Sequence, residues 1–382
     1  MTCGNRNFDS SARLRISACN SWNSNCSLLY DHDVRKRLNN DSEDIKQRNT
    51  TFSNSERNNT ERKSRLALFQ WMSDADHCEA SSGLIGSCLS AQECIKRGGR
   101  GVETCAWGLG VCCVYISSCD STSSANLTYF TSPRYPNVWS SNTGVCTFTL
   151  RPKLFSKICQ VRLDFEEFFI TGPTAGMCST DVLSVSGQDL NNVVPVICGL
   201  NTGQHMFLQV GSSTGPFRIT ITTSGESEER KWKIRVTQIP CGSEAMAPAH
   251  CLQYYTGAIG HFQSFNYGNL KSVEENSYFL NMNYAICIRK EASMCGATFI
   301  PNGDFNVNIW NSSVTCSSDY LSFGTFRKCG RVPKDEFAPV KIADPGPMIV
   351  SFVSDNKHTS GLSTTDSGFS FKYTQFACSS GM

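Results

Sequence analysis

Apolar and polar residues alternate through the middle of the chain, as in Cys146-Phe148-Leu150, Val161-Leu163-Phe165, Met206-Leu208-Val210, Phe217-Ile219-Ile221 and Trp232-Ile234-Val236. A period of two buries one side of a strand and wets the other, which is the pattern of antiparallel sheets. Pro133, Pro136, Gly172-Pro173, Gly187, Gly211 and Gly215-Pro216 fall in the gaps, where turn residues end one strand and begin the next. Many short strands punctuated in this way predict a β-sandwich. No long helical period competes. The apolar runs Val193–Cys198 and Met348–Val353 are strand-length, far below the roughly 18 residues of a membrane-spanning helix.

Two other patterns precede the strands. Residues 1–76 are rich in Asn, Ser and Arg and poor in apolar residues. Such a segment buries too little surface to offset its ordering entropy, so a disordered arm is expected there. The arm holds the sequons Asn25, Asn40, Asn49 and Asn58, three cysteines (Cys3, Cys19, Cys26), and Arg62-Lys63-Ser64-Arg65. The last reads either as a furin-type processing site or as a solvated charge cluster. The longest apolar run in Met1–Tyr30 is Leu28-Leu29-Tyr30, too short for a secretory leader. A removed leader or an incomplete gene start is expected, and the initial Met favours the second. Residues 77–115 form a compact module with Cys78, Cys88, Cys94, Cys105, Cys112 and Cys113. So small a module lacks a real apolar core and depends on covalent staples. Adjacent Cys112 and Cys113 must reach different partners, but spacing alone does not choose among the connectivities.

Composition narrows the chemistry. The 382 residues carry a net charge of +2, and beyond residue 76 basic and acidic side chains are equal in number. That balance excludes a strong phosphate-binding footprint, so no nucleic acid is expected as a partner. There are 21 cysteines, with no Cys-x2-Cys pair of the kind zinc sites use. Disulfides in an oxidising compartment follow.

Twelve of those cysteines fall into two sets, 119, 146, 159, 178, 198, 241 and 251, 287, 295, 316, 329, 378. Cys178-Ser-Thr-Asp181-Val-Leu-Ser matches Cys316-Ser-Ser-Asp319-Tyr-Leu-Ser, Cys198-Gly199 matches Cys329-Gly330, and Phe217-Arg-Ile-Thr-Ile is set against Phe369-Ser-Phe-Lys-Tyr373. Two copies of one domain are expected, at 116–242 and 245–382, each of roughly 125 residues and large enough for its own core.

These residues resemble the CUB family. In the first copy the likeness rests on Phe130-Thr-Ser-Pro-Arg-Tyr-Pro136, Cys178-x-x-Asp181 and Cys198-Gly199. In the second it rests on Cys316-x-x-Asp319, Cys329-Gly330, Phe352-Val-Ser-Asp355 and Gly368-Phe-Ser-Phe-Lys-Tyr373. The resemblance implies an all-β fold of two tandem jelly-roll-type antiparallel sandwiches. Ile239-Pro-Cys-Gly and Cys251-Leu-Gln-Tyr-Tyr are similar to arthropod CUB-domain proteins, and the cysteine module resembles an arthropod clip module. The family pattern implies Cys119–Cys146 and Cys178–Cys198. Cys159 and Cys241 are then left to each other, and Cys251–Cys287, Cys316–Cys329 and Cys295–Cys378 are expected in the second copy. Cys287 departs in phase. It lies out of step with Tyr284, Ile286 and Ile288, so it should point to the opposite face of its strand.

Many CUB domains bind calcium through a Tyr, a Glu and two Asp. In the first copy Asp181 is present, but Trp139 and Thr171 stand near the Tyr and Glu positions and Gly211–Pro216 has no acid, so no ion is expected. In the second copy Asp319 and Asp355 are the candidate ligands of a calcium ion. The alternative is that Asp319 hydrogen-bonds its own turn. Gly211-Ser-Ser213-Thr-Gly215 has the spelling of a nucleophile elbow, but a strand, not a helix, follows it. None of His32, His77, His205, His250, His261 and His358 stands in a triad or zinc-protease motif. The strand Arg230–Arg235 puts Lys231, Lys233 and Arg235 on one face, which reads as a polyanion or glycan site or as charge guarding a sheet edge. Asn126 and Asn311 are the glycosylation candidates of the folded part. The expected function is a secreted, non-enzymatic protein that binds an extracellular protein or glycan. The alternatives are the accessory region of a clip/CUB serine protease and a matrix or cuticle component.

Overall fold

The computed structural model describes residues 77–378 apart from 141–142, 153–156, 213–214, 226–228, 270, 273–274, 309–315, 344–345 and 358–365. The expected arm with its sequons, cysteines and Arg-rich site, the candidate Asn311, Ser213, His32 and His358 lie outside the described residues.

The cysteine module consists of β1 (His77–Glu79), β2 (Ile85–Leu89), α1 (Ala91–Lys96), β3 (Arg100–Cys105) and β4 (Gly110–Ser117). Ser90 caps α1, its hydroxyl accepting the Glu93 N–H at 3.1 Å, which satisfies a donor left open by the first turn. Three bridges staple the module, Cys78–Cys112, Cys88–Cys105 and Cys94–Cys113. Neighbouring side chains on a strand point to opposite faces, so Cys112 and Cys113 tie β4 to different neighbours. Strand β4 then runs across the 115/116 boundary expected from the sequence. It pairs in parallel with β6 of the next domain through Tyr115↔Thr128, Ile116↔Tyr129 and Ser117↔Phe130, and the Ile85 N–H donates to the Tyr129 hydroxyl at 2.8 Å.

The first sandwich has strands β5 (Ser121–Ser123), β6 (Thr128–Thr131), β7 (Gly144–Leu150), β8 (Ile158–Phe169), β9 (Val182–Ser186), β10 (His205–Gln209), β11 (Phe217–Thr223) and β12 (Lys231–Pro240). One sheet runs β4-β6-β12-β8-β10 and the other β5-β7-β11-β9. The alternating residues read from the sequence are buried between the two sheets, and within the β5-β7-β11-β9 sheet Ile219 stands beside Phe148 and Ile221 beside Cys146. A bulge shifts the β12–β8 register between Lys233 and Ile234. The extra residue lets both Phe165 and Phe168 face the core.

The second sandwich has β13 (Cys251–Tyr255), β14 (Ile259–Gln263), β15 (Asn283–Ile288), β16 (Met294–Pro301), β17 (Phe305–Val307), β18 (Tyr320–Phe323), β19 (Phe326–Lys328), β20 (Gly330–Val332), β21 (Val340–Ile342), β22 (Met348–Val353) and β23 (Ser370–Ala377). Its sheets are β13-β15-β22-β18-β19 and β14-β23-β16-β21, with β17 and β20 paired beside them. Apart from β4 and β19, which have no counterpart, the two orders match. Thus β7, β11 and β9 correspond to β15, β22 and β18, while β6, β12, β8 and β10 correspond to β14, β23, β16 and β21. This corrects one equivalence drawn from the sequence. Phe369–Tyr373 leads into β23, the counterpart of β12, whereas the counterpart of Phe217–Ile221 in β11 is Met348–Val353. The long bridges agree with the corrected alignment, since Cys159–Cys241 closes the β8/β12 pair and Cys295–Cys378 the β16/β23 pair.

Candidate functional site

One charged pair of the first sandwich is spent in its interior. Asp181 and Arg230 are both wholly buried. Arg230 Nε donates to Asp181 Oδ2 at 2.7 Å and Nη2 to Oδ1 at 2.8 Å, a bidentate fork. The Thr171 N–H adds a bond to Oδ2 at 2.8 Å, and Arg230 Nη2 also donates to the carbonyls of Ser224 and Gly225. Arg230 shares the inward phase of Trp232, Ile234 and Val236. A guanidinium therefore sits against the carboxylate that a CUB calcium site would use. Trp139 lies near it, its N–H bonded to the Arg230 carbonyl and its ring edge-on to Trp232.

In the second sandwich Asp319 is also buried. Tyr278 OH donates to Asp319 Oδ2 at 2.5 Å and the Asp355 N–H to Oδ1 at 2.7 Å. Burial, with the charges of Asp366 and Asp319, pushes the Tyr278 hydroxyl far above the usual phenol range, so it stays a donor. Asp355 turns to its own loop, Oδ1 accepting the Lys357 N–H at 2.8 Å. Calcium takes six to eight oxygens. Among the described residues no group of three or more His, Cys, Asp or Glu stands ready to hold a metal, and Asp319 and Asp355 are joined in one hydrogen-bonded corner.

Of the two alternatives for the basic strand, charge guarding a sheet edge does not hold. Strand β12 lies between β6 and β8. Its cations are met across the sheet by acids of β8, Lys231 by Glu167 at 2.6 Å, Lys233 by Glu166 at 2.7 Å and Arg235 by Asp164 at 3.1 Å. The glycosylation candidate Asn126 is held by its Oδ1, which accepts the N–H groups of Gln238 and Leu127. The turn Gly211-Ser212 hangs on Asp189 and leads into β11, the strand context expected.

The residues that come together are at the junction of the sandwiches, and most were not anticipated. Phe207 of β10, Ile239, Ala247 of the connection, and Cys251 and Cys287 form a buried apolar cluster of their own. Cys287 does point away from its core, as its phase required. The face it meets belongs to the other domain, which explains a buried disulfide on an outer surface. Polar groups complete the seam. The Asn266 N–H donates to Asn201 Oδ1 at 2.9 Å while Asn266 Oδ1 accepts the Leu200 N–H at 3.0 Å. Gln253 donates to Gln204 at 3.0 Å, and Gln204 to the Ser264 carbonyl at 3.2 Å. Gln160 exchanges two amide bonds with Ala247. Gly199 explains its place in the Cys-Gly pair. Its φ is +70°, and a Cβ there would stand 2.0 Å from Asn266 Oδ1, so only glycine admits the second domain.

His205 lies at the centre of this seam. Its Nε2 accepts the Tyr254 N–H at 2.9 Å, and its ring packs against Tyr255 and Phe207. Burial, helped by Arg162 and opposed by Asp164, lowers its pKa to about 4, and the bond itself needs an unprotonated Nε2. The neutral form is thus favoured in the folded state. Its contribution is complete above pH 6.5 or so and is lost as pH falls towards 4. Integrated over that window it amounts to about 3 kcal/mol. Denaturant unfolding should show this loss between pH 7 and pH 4, and His205→Gln should flatten that part of the profile.

The two β-sandwiches thus meet across a buried seam of apolar and hydrogen-bonded side chains. The CUB domain profile matches residues 119–236 and the Animal CUB domain profile residues 248–376, more than half of the chain together. The chain belongs to the CUB family and carries two CUB domains. CUB domains are extracellular protein-interaction modules, and with nine disulfides among the described residues they point to an extracellular protein. No described helix is long and apolar enough to cross a membrane. Among solved structures the chain is similar to the CUB1-EGF-CUB2 domains of rat MASP-1, at 15% identity over 68% of this chain and 100% of that one with a TM-score of 0.25. It is also similar to the CUB1-EGF-CUB2 domain of human MASP-1/3, at 15% identity over 65% and 98% with a TM-score of 0.25. The full extracellular region of zebrafish Gpr126/Adgrg6 matches at 12% identity over 69% of this chain and 38% of that one, with a TM-score of 0.26. No curated protein sequence matches.

Proposed function

We propose that the chain is a secreted, non-enzymatic interaction protein, of arthropod type with a clip-like module, whose docked CUB pair binds an extracellular protein or glycan as one rigid unit. The observation that carries this reading is the buried junction. Asn201 bonds Asn266, Gln204 bonds Gln253 and His205 bonds the Tyr254 N–H across it, and such a seam holds loops of both domains in fixed register for a partner. An exposed anchor supports it. Trp107 is 96% exposed at the tip of the β3–β4 hairpin, and it is held there by a backbone with positive φ at both Ala106 and Trp107. Tryptophan is a frequent centre of binding hot spots, and strained backbone marks functional positions.

The test is capture by the full chain, produced in an oxidising host and immobilised. It should retain a defined extracellular protein in stoichiometric amount. Retention should survive removal of calcium, because Arg230 supplies the cation beside Asp181. Failure to retain any partner, or hydrolysis of peptide or ester substrates by the purified chain, would contradict the reading.

A further inference from the structure

The junction leaves a cleft of about 490 Å³ between residues 202–205 of the first sandwich and β13 and β14 of the second, within the roughly 300–1,000 Å³ of small-ligand sites. Its floor is fixed before any ligand arrives. Gln204 and His205 are buried and bonded across the seam, Phe262 is buried, and the Tyr373 hydroxyl donates to the Thr256 carbonyl at 3.2 Å. The rim differs. The side chains of His261, Gln263, Tyr254 and Thr256 line the cleft and make no hydrogen bond among the described residues. His261 and Gln263 are two apart on the edge strand β14, so they project from one face.

Charge decides the ligand class. Of the lining side chains, Arg162 alone carries a permanent charge, and Asp164 pairs with it at 2.6 Å. An anion would therefore meet no unpaired cation among the lining residues, Lys372 standing beside His261 but outside the lining. A purely apolar ligand would strand the amide, imidazole and hydroxyl groups without partners, which costs more than the contact returns. A neutral molecule dense in hydroxyls matches donors and acceptors of this kind, and its C–H faces suit the tyrosine rings. We propose that this cleft, shared by the two CUB domains, is a saccharide site that takes one or two neutral sugar residues of a glycan. It deepens the interaction reading above and rests on it.

The full chain should be applied to an array of immobilised glycans comprising neutral oligosaccharides (chitotriose, lactose, mannotriose) and sialylated and sulfated ones. Lys372 stands opposite His261 on β23, so the acidic glycans report binding driven by charge alone. At least one neutral oligosaccharide should be captured. The double variant His261→Ala, Gln263→Ala should lower its affinity tenfold or more with an unchanged unfolding midpoint, because neither side chain has a partner to lose. Capture of no neutral glycan, capture of acidic glycans only, or equal capture by the variant overturns the proposal. Protein capture by the same preparation separates the two claims: if it persists while glycans fail, the cleft site falls alone, and if both fail, the interaction reading falls with it.

Discussion

Replacing Arg230 with alanine should destabilise the first sandwich by about 3–5 kcal/mol, the usual consequence of leaving one member of a buried ion pair behind. Asp181 would retain only backbone partners, the Thr171 and Ser224 N–H groups, in a site with no access to water. The carbonyls of Ser224 and Gly225 would lose their donor as well. A loss of this size is a large part of the roughly 5–15 kcal/mol that holds a domain together. The double variant Arg230→Met, Asp181→Leu should recover much of it, since well-packed apolar replacements of buried pairs are often neutral or better. Urea unfolding of the three proteins measures both effects. If Arg230→Ala costs less than about 1 kcal/mol, the pair is solvated and the description of the site is wrong.

The second large effect concerns the long bridges. Cys159–Cys241 spans 82 residues and Cys178–Cys198 spans 20. On the chain-entropy account, removing the first as a Cys→Ala pair should cost about 4–5 kcal/mol and removing the second about 3. The long bridge also joins strands that already pair, with Pro240 opposite Ile158, so its loss should leave the fold in place and act chiefly through the unfolded chain. The matching bridge Cys295–Cys378 spans 83 residues and should behave alike. Unfolding midpoints under oxidising conditions give the ranking, and a short bridge that outweighs a long one would contradict it.

Much of the architecture was legible because its cause is local. Alternation in Phe217-Ile219-Ile221 or Trp232-Ile234-Val236 follows from strand geometry, and the cysteine frame carried the duplication. The mistaken equivalence of Phe369–Tyr373 also has a local cause. Strand β21 is only three residues, Val340–Ile342, too short to show a period. Missing it moved each later strand by one place, and alternation alone does not tell one core strand from another. The balanced face of β12 was hidden for the opposite reason, as its acids stand on β8 at Asp164, Glu166 and Glu167, far away in sequence.

The junction left faint signals that share one meaning. Phe207 sits between Met206 and Leu208, and Cys287 between Ile286 and Ile288. Each places an apolar side chain on the phase that should face water, and these two residues meet in one cluster. Arg230 is the reverse case, a charge on the apolar phase of its strand. Its partner Asp181 was in view as a landmark of the repeat, but only the fold could bring the two together. The polar seam of Asn201, Gln204, Gln253 and Asn266 had no signature at all, because amides that bury against a second domain read like the ordinary polar residues of loops.

The docking of the two CUB domains into one rigid body is tested most directly by residual dipolar couplings of the backbone amides of the full chain in a weakly aligning medium at pH 7. One alignment tensor should fit residues 119–240 and 251–377 together, with the Leu200, Tyr254 and Asn266 amides agreeing with it. Two tensors of different magnitude, one for each sandwich, would mean that the domains move independently and that no shared surface exists.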